Sequence, residues 1–359
     1  MVGSVEERIA SDHPIGVRCQ VNCQSIFTAS LCRPFRVPDS LAALRLLVLM
    51  PRRLRFVPPG GALVEITCRT VQGRLLLRPS PILNEITLGV LARAACRYAV
   101  EVHGYAFLSN HYHLLVSVSD AQQLAAFMTY LNSNLAREAG RLVRWRERFW
   151  GRRYQAILVS AEEEAQVGRL SYLLAHGVKE GLVASPFDWP GVHCARALAD
   201  GAFVSGRWWN RTLESRARRQ GLAPEPEAFV EREQFTLSPL PCWRSLESAI
   251  RRERVRKLIE EIEAGARRRR EETGAPPLGR DTICRQNPHL EPNRIKKGPA
   301  PLVHAAAPAV RRALRGAYFA FLDAYRHAAR RLRAGAREIE FPAGAFPPPL
   351  PVRVAARTG

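Results

Sequence analysis

Two histidines at alternate positions are the first residues whose type and spacing could do chemistry. His111 and His113 flank Tyr112, and residues 114–116 are all apolar. If this segment is a strand, its side chains alternate between two faces, so both imidazoles point to the same face. Two imidazoles placed in this way can bind one divalent cation. Two unrelated surface histidines are the alternative, and the apolar run after His113 favours the metal site.

Tyr172 and His176 form a second pair. They lie four residues apart near the end of a predicted helix, which places both side chains on one face. The buried stripe of this helix is already supplied by Val167, Leu170 and Leu174. Tyr172 therefore lies at the edge of the stripe and can be presented elsewhere. The alternative is an ordinary tyrosine of the core or its rim.

A basic and aromatic segment lies between positions 144 and 154. Arginines bind phosphates and aromatic faces stack on exposed bases, a combination that is typical of proteins that bind single-stranded nucleic acid. The candidate DNA-binding residues of this segment are Arg148, Trp150, Arg152, Arg153 and Tyr154. The alternative is a solvated charged loop that Trp150 anchors to the core.

The elements that must position these residues follow the order strand, helix, strand, strand, helix, strand, helix. Apolar and polar residues alternate over residues 64–69, which predicts the first strand. A strand pair is predicted over residues 100–118 and a short strand over residues 153–159. This order predicts an α+β fold with an antiparallel sheet flanked by helices, and not a parallel α/β sheet.

Local signals mark where the second and third helices begin and end. Ser119 with Gln122, and Ser160 with Glu163, resemble capping boxes that open these two helices. Gly177 is a natural C-cap for the third helix. We therefore expect Tyr172 and His176 to lie in one continuous helix.

The composition excludes several classes of protein. The 359 residues include 54 Lys and Arg against 33 Asp and Glu, a formal net charge of +21, which predicts a polyanionic partner, nucleic acid first. None of the eight cysteines belongs to a C-x-x-C pair, so the spacing of a zinc ribbon is missing, and Cys68 and Cys96 are predicted to be buried. The sequence contains neither a run of 18 apolar residues nor a signal peptide, so we expect a cytoplasmic protein that has no membrane partner.

Three regions are predicted along the chain. Residues 1–49 show no regular pattern and are interpreted as a disordered upstream extension without a function, with a flexible basic arm as the alternative. Residues 50–197 carry the motifs above. Residues 198–359 are predicted to be a basic, mainly helical accessory region with Pro-rich linkers, whose arginine clusters either bind the DNA backbone or only solvate the surface. Every candidate catalytic residue precedes this region, so we expect the chemistry to survive its removal.

Several segments over residues 50–197 resemble the HUH-type single-tyrosine transposases, in particular the REP-associated transposases. His111-Tyr112-His113 resembles their histidine-hydrophobe-histidine motif, and residues 148–154 resemble the segment before their last strand. Residues 171–183 resemble the tyrosine helix and its exit, and residues 188–191 the turn that follows. Many relatives carry Asn-Pro where this chain has His176-Gly177. Histidine is itself a good ligand, so the substitution keeps coordination possible.

The resemblance implies a ferredoxin-like HUH nuclease core that nicks and rejoins single-stranded or hairpin DNA. It implies that Tyr172 is the nucleophile, which leaves a covalent 5′-phosphotyrosine. It also implies that His111, His113 and His176 bind Mg²⁺ or Mn²⁺, with zinc as an alternative. Lys179, at the exit of the tyrosine helix, joins the candidate DNA-binding residues, and a homodimer is compatible with the resemblance.

Two other functions are weighed against this one. The first is a non-catalytic or domesticated DNA-binding protein derived from such a transposase. A Tyr172 side chain within reach of the metal face would favour the enzyme. The second is a metallohydrolase or nucleotidyl-transferring enzyme built around H-x-H, which would need an Asp or Glu close by, as in H-x-H-x-D-H. The apolar residues 114–116 argue against it.

Overall fold

The structure, a computed structural model, describes residues 53–222, 225–292 and 300–349. The extension predicted over residues 1–49 lies outside the described residues. The strands are β1 (Ala62–Arg69), β2 (Glu101–Leu108), β3 (His111–Val118), β4 (Gln155–Val159), β5 (Val204–Trp209), β6 (Val230–Phe235) and β7 (Val303–His304). The helices are α1 (Pro81–Arg97), α2 (Ala121–Leu142), α3 (Glu163–Leu174), α4 (Ala195–Asp200), α5 (Arg211–Arg219), α6 (Ser248–Thr273), α7 (Arg280–Arg285) and α8 (Pro308–Arg333).

Five of these strands form the main sheet in the order β2-β3-β1-β4-β7. β1 pairs antiparallel with both β3 and β4, β2 pairs antiparallel with β3, and β7 runs parallel to β4 at one edge. The predicted order of elements from β1 to α3 is confirmed, and so is the α+β class with a mostly antiparallel sheet flanked by helices.

The alternation of side chains along β3 separates the two faces of the sheet. Tyr112 is fully buried on the face that packs against α2, where its hydroxyl donates to Oδ1 of Asn132 at 2.6 Å. His113 points to the opposite face, which α3 covers, and its Cα partner across the sheet is Thr67 of β1. Helices therefore cover both faces of the sheet, and the histidines lie in the layer between the sheet and α3.

The predicted helix signals are wrong in detail. The N-cap of α2 is Asp120, one residue after the predicted Ser119. The Asp120 carboxylate accepts from the backbone N–H of Gln123 at 2.7 Å, and an aspartate is a strong acceptor at the N-cap position. At α3 the hydroxyl of Ser160 donates to Glu162 at 2.7 Å, so it does not cap the helix. α3 ends at Leu174, and Gly177, with a φ of +89°, lies in the turn after it.

Two predictions for single cysteines have opposite outcomes. Cys68 is buried on β1, as predicted, and its burial raises the pKa of the thiol to about 12. Cys96 is exposed near the end of α1, so the prediction that it is buried is wrong. The last turn of α1 presents this position to solvent although the neighbouring Ala94 and Ala95 are buried.

The region after residue 198, predicted to be mainly helical, contains the two long helices α6 and α8 and also strands. β5 and β6 pair antiparallel and pack against α1, where the approach is close. A Cβ added at Gly89 of α1 would lie 2.4 Å from the carbonyl of Arg207 on β5. Within the described residues, no helix has both the length and the apolar character needed to span a membrane.

Candidate metal centre and nucleophile

Three histidines converge on the face of the sheet that α3 covers. β3 supplies His111 and His113, and the turn that follows α3 supplies His176. One nitrogen of each ring lies within 4.8 Å of the corresponding nitrogens of the other two. The centroids of the His113 and His176 rings are 4.1 Å apart. The structure thus brings together the three residues proposed as metal ligands, although His176 lies outside the helix expected to carry it.

Each of the three rings has its Nδ1 atom next to a hydrogen-bond acceptor. Nδ1 of His111 lies 2.6 Å from Oδ1 of Asn110, and Nδ1 of His113 lies 3.1 Å from Oε1 of Glu65. Nδ1 of His176 lies 2.9 Å from the carbonyl oxygen of Tyr172. An acceptor at Nδ1 places the proton there, which leaves the lone pair on Nε2 for a metal ion.

Burial keeps two of these imidazoles neutral. Burial lowers the pKa of His113, and the hydrogen bond with Glu65 opposes this only in part. Burial, together with the charges of His113 and Lys179, holds the pKa of His176 well below its usual range. Neutral imidazoles are the form that binds metal ions. The donor set therefore fits a divalent cation bound by three nitrogens.

Tyr172 lies beside this cluster on the last turn of α3. Its ring meets the rings of His176 and His113 edge-on, with centroids 4.7 and 5.7 Å away. Two cations lie against the same ring: Nζ of Lys179 is 3.3 Å from its centroid and Cζ of Arg169 is 4.0 Å from it. The side chain is 38% exposed, so solvent and substrate can reach it.

Sequence reasoning missed a buried carboxylate behind the histidines. Glu65 of β1 is only 4% exposed, and it contacts His113, Arg169 and His304. Burial would raise the pKa of Glu65, but hydrogen bonds with the two histidines and the charge of Arg169 outweigh it and hold this pKa well below its usual range. Glu65 alternates with apolar residues as a solvent-facing residue would, and only the position of α3 shows that this face is covered.

The two aromatic DNA-binding candidates, Trp150 and Tyr154, pack against or within the core. The Trp150 ring packs on Tyr112 and Phe149, and its Nε1 donates to the carbonyl of Asn132 at 2.9 Å. Tyr154 is buried, and its hydroxyl accepts from Nε of Arg55 at 2.8 Å. These contacts favour the alternative interpretation, in which the loop is anchored to the core.

The basic members of the segment lie at the surface. Arg148, Arg152 and Arg153 are exposed. Nε of Arg148 donates to the carbonyl of Trp150 at 2.8 Å, and Arg153 donates to the carbonyl of Arg53. Lys179, the remaining candidate, is half-buried against Tyr172 and His176. The candidate DNA-binding residues therefore fall into exposed arginines, two rings that pack in or against the core and one lysine at the candidate metal centre.

Comparison with known proteins identifies part of the chain. Residues 80–170 match the family model of the IS200-like transposases. A solved structure of a REP-associated tyrosine transposase bound to a REP hairpin is similar, with 15% identity over 49% of this chain and 89% of that one and a TM-score of 0.34. A candidate transposase from Deinococcus radiodurans R1 is also similar, with 15% identity over 31% of this chain and 88% of that one and a TM-score of 0.24.

No curated protein matches the chain significantly. The segment that matches the family model contains both strand histidines, His111 and His113, and ends two residues before Tyr172. The resemblance to single-tyrosine transposases found in the motifs is confirmed, since residues 80–170 match the family model of the IS200-like transposases.

Proposed function

We propose that this protein is a transposase that nicks and rejoins single-stranded or hairpin DNA, with Tyr172 as the nucleophile. The observation that carries the proposal is the contact of the Tyr172 ring with His113 and His176. A protein that only binds DNA has no need of a tyrosine against a cluster of three histidines that could hold a metal ion. The REP hairpin bound in the similar solved structure suggests the kind of DNA to test.

The proposed reaction conserves the number of phosphodiester bonds. The phenolic oxygen of Tyr172 attacks the scissile phosphorus, and the bond from phosphorus to the 3′ oxygen breaks. The tyrosine loses its proton, the released 3′ oxygen gains one, and the DNA stays attached as a 5′-phosphotyrosine. A second DNA 3′-hydroxyl then attacks the same phosphorus and releases the tyrosine. No nucleotide cofactor is required, because the phosphotyrosine bond preserves the energy of the bond that broke.

The chain itself supplies positive charge where a scissile phosphate would lie. Lys179 and Arg169 both contact the Tyr172 ring. Burial lowers the pKa of Lys179 to about 8, so the ammonium is still mostly charged at pH 7. In this partly buried site the two cations attract the phosphate more strongly than they would in water.

His111, His113 and His176 would hold the divalent ion through their Nε2 atoms. When bound, Mg²⁺ or Mn²⁺ would polarise the scissile phosphate and offset the charge that develops on it. Imidazole nitrogens suit the later transition metals better than they suit Mg²⁺, so the donor set favours Mn²⁺ of these two, with zinc as the alternative.

The test is the capture of the covalent intermediate. The full chain is incubated with Mn²⁺ and a library of hairpin oligonucleotides that carry randomised single-stranded flanks and a label at the 3′ end. We expect labelled protein that survives denaturation in SDS, because the 3′ fragment stays on the tyrosine. Tyr172→Phe should form no adduct and bind the hairpins with a Kd within about twofold of the parent, since only one hydroxyl is lost.

Tyr325→Phe is the matched control, because Tyr325 lies on α8 and its hydroxyl donates to the carbonyl of Phe346 at 3.2 Å. It should form as much adduct as the parent. An adduct with Tyr172→Phe would contradict the assignment of the nucleophile. Hairpin binding by the parent without any adduct would instead support the non-catalytic DNA-binding protein.

A further inference from the structure

A contact across the main sheet joins the metal centre to the C-terminal region. Nε2 of His304, on β7, lies 3.1 Å from Oε2 of Glu65. The other carboxylate oxygen, Oε1, lies 3.1 Å from Nδ1 of His113 and accepts from Nη2 of Arg169 at 3.1 Å. Glu65 therefore lies between a proposed metal ligand and a residue from the far end of the described chain.

The backbone holds His304 in this position. β7 pairs parallel with β4, and the backbone N–H of Ser160 donates to the carbonyl of His304 at 2.9 Å. The backbone N–H groups of Ala306 and Ala307 both donate to the carboxylate of Glu162 at 2.9 Å. These bonds fix the segment from His304 to Ala307 against the start of α3, so the His304 ring has little freedom to move away from Glu65.

A buried carboxylate needs compensating charge or hydrogen bonds. Removing one partner of a buried ion pair is strongly destabilising, because it leaves a charge such as that of Glu65 uncompensated in the protein interior. Arg169 supplies one partner, with Nε 2.7 Å from Oε2, and His304 supplies the other on the same oxygen. These two contacts hold Oε2 in place, so together they position the carboxylate.

The carboxylate in turn orients a proposed metal ligand. A carboxylate at Nδ1 fixes both the tautomer and the ring orientation of a metal-binding histidine and makes its other nitrogen more basic. Glu65 has this relationship to His113. Its own orientation depends on Arg169 from α3 and on His304 from β7.

We propose that Glu65 and His304 are positioning residues for the metal ligand His113, so that the C-terminal region is part of the catalytic centre. This inference rests on the proposed function, because it assigns these residues to the metal site of that reaction. It differs from the expectation that the chemistry survives removal of residues 198–359, since such a fragment would lack the His304 contact with Glu65.

The test compares metal binding and DNA nicking in the full chain. His304→Ala removes the contact, and His304→Gln keeps an N–H donor of similar reach. His327→Ala is the matched control, because His327 is an exposed histidine of α8 in the same C-terminal region. The Kd for Mn²⁺ is measured by titration calorimetry, and the nicking rate is measured at saturating Mn²⁺ with the hairpin library.

For His304→Ala we expect the Kd for Mn²⁺ to rise by about 10-fold or more, the usual effect of losing an outer partner of a metal ligand. His304→Gln should recover most of the affinity, and His327→Ala should match the parent. The Kd for DNA, measured without metal, should stay the same in all three. A purely structural role for His304 would lower the thermal stability of the variant and leave the Kd for Mn²⁺ unchanged.

An unchanged Kd for Mn²⁺ in His304→Ala overturns the inference, and so does a parent that binds no Mn²⁺. If His304→Ala does not fold, Glu65→Gln decides the matter, because it keeps the volume and removes the charge that His304 contacts. Parental affinity in Glu65→Gln would likewise overturn the inference. Metal affinity that depends on His304 in a parent that nicks no DNA would support the positioning role and contradict the proposed function, so the two failures are distinguishable.

Discussion

Nζ of Lys179 lies 3.1 Å from Nε2 of His176, the nitrogen that is left to bind a metal ion once Nδ1 donates to the carbonyl of Tyr172. A metal ion held by the three histidines would therefore compete with the ammonium for one lone pair. Binding of the ion requires Lys179 to move away from His176, and a second cation nearby then repels the ammonium. The same lysine contacts the Tyr172 ring, so its displacement changes the surroundings of the nucleophile.

Replacing Lys179 should therefore strengthen metal binding. For Lys179→Met we expect the Kd for Mn²⁺ to fall by roughly 5-fold, because about 1 kcal/mol of competition and charge repulsion is removed. The nicking rate at saturating Mn²⁺ should fall, since one cation next to the phosphate is lost. Titration calorimetry checks the first effect, with Lys257→Met on the exposed side of α6 as the control. Weaker metal binding by Lys179→Met would contradict the competition.

His176 should be needed for tight metal binding although it lies outside α3. In His176→Ala we expect the Kd for Mn²⁺ to rise by more than about 100-fold, beyond the usual effect of losing an outer partner. His176→Asn, which has the residue of many relatives, should bind with intermediate affinity, because an amide oxygen can replace the nitrogen. Calorimetric titration of the two variants distinguishes these outcomes. Parental affinity in His176→Ala would remove His176 from the ligand set.

Replacing two helix glycines by alanine should change the free energy of unfolding in opposite directions, because only one of them lies against β5. Gly89→Ala should lower the free energy of unfolding by about 1–3 kcal/mol, because the new Cβ would lie 2.4 Å from the Arg207 carbonyl. Gly168→Ala, in α3, should raise it by about 0.5–1 kcal/mol, because its Cβ meets nothing within 4 Å and alanine is the better helix former. Urea unfolding measures both. Equal effects would mean that α1 and β5 do not pack so closely.

Burial of His193 makes stability depend on pH. Burial lowers the pKa of His193 to about 4, whereas the pKa of the unfolded side chain is about 6.5. The unfolded chain thus binds the proton first, so the free energy of unfolding is highest above about pH 6.5 and falls as the pH decreases towards 4. His193 should contribute about 1–3 kcal/mol to this loss.

The measurement is urea unfolding of the parent and of His193→Asn at pH 7 and pH 4.5. The parent also contains His113 and His176, whose pKa values burial lowers in the same direction, so both proteins lose stability in acid. The variant should lose less than the parent, and the difference isolates His193. An equal loss in the two proteins would show that His193 does not stay neutral in the folded state.

Local periodicity is enough to predict four strands of the main sheet, β1 to β4, and the positions of two of the three histidines. His111 and His113 share a face because side chains alternate along any strand, whatever covers the strand. The third helix ends at Leu174, earlier than the predicted end at Gly177. His176 still reaches the cluster, because the turn after Leu174 keeps it next to the last turn of α3. The spacing from Tyr172 was therefore informative although its structural explanation was wrong.

Contacts between distant segments could not be predicted in this way. Glu65 occupies a polar position of an alternating strand, and its burial depends on α3, about 100 residues later. β7 has only two residues, too few to show a period. Trp150 and Tyr154 resembled a stacking surface because a sequence lists the rings near arginines without showing which of them point into the core.

The parallel pairing of β7 with β4 has a consequence for the order in which the protein is completed. Glu65 and His304 are separated by more than half of the 359-residue chain. A ribosome makes the segment with Tyr172 and the three histidines long before it makes His304, and domains tend to fold as they emerge. A nascent chain that ends before β7 therefore has the proposed nucleophile and metal ligands without His304, the residue proposed to orient Glu65. If the proposed function holds, the site therefore matures only after β7 has been synthesised.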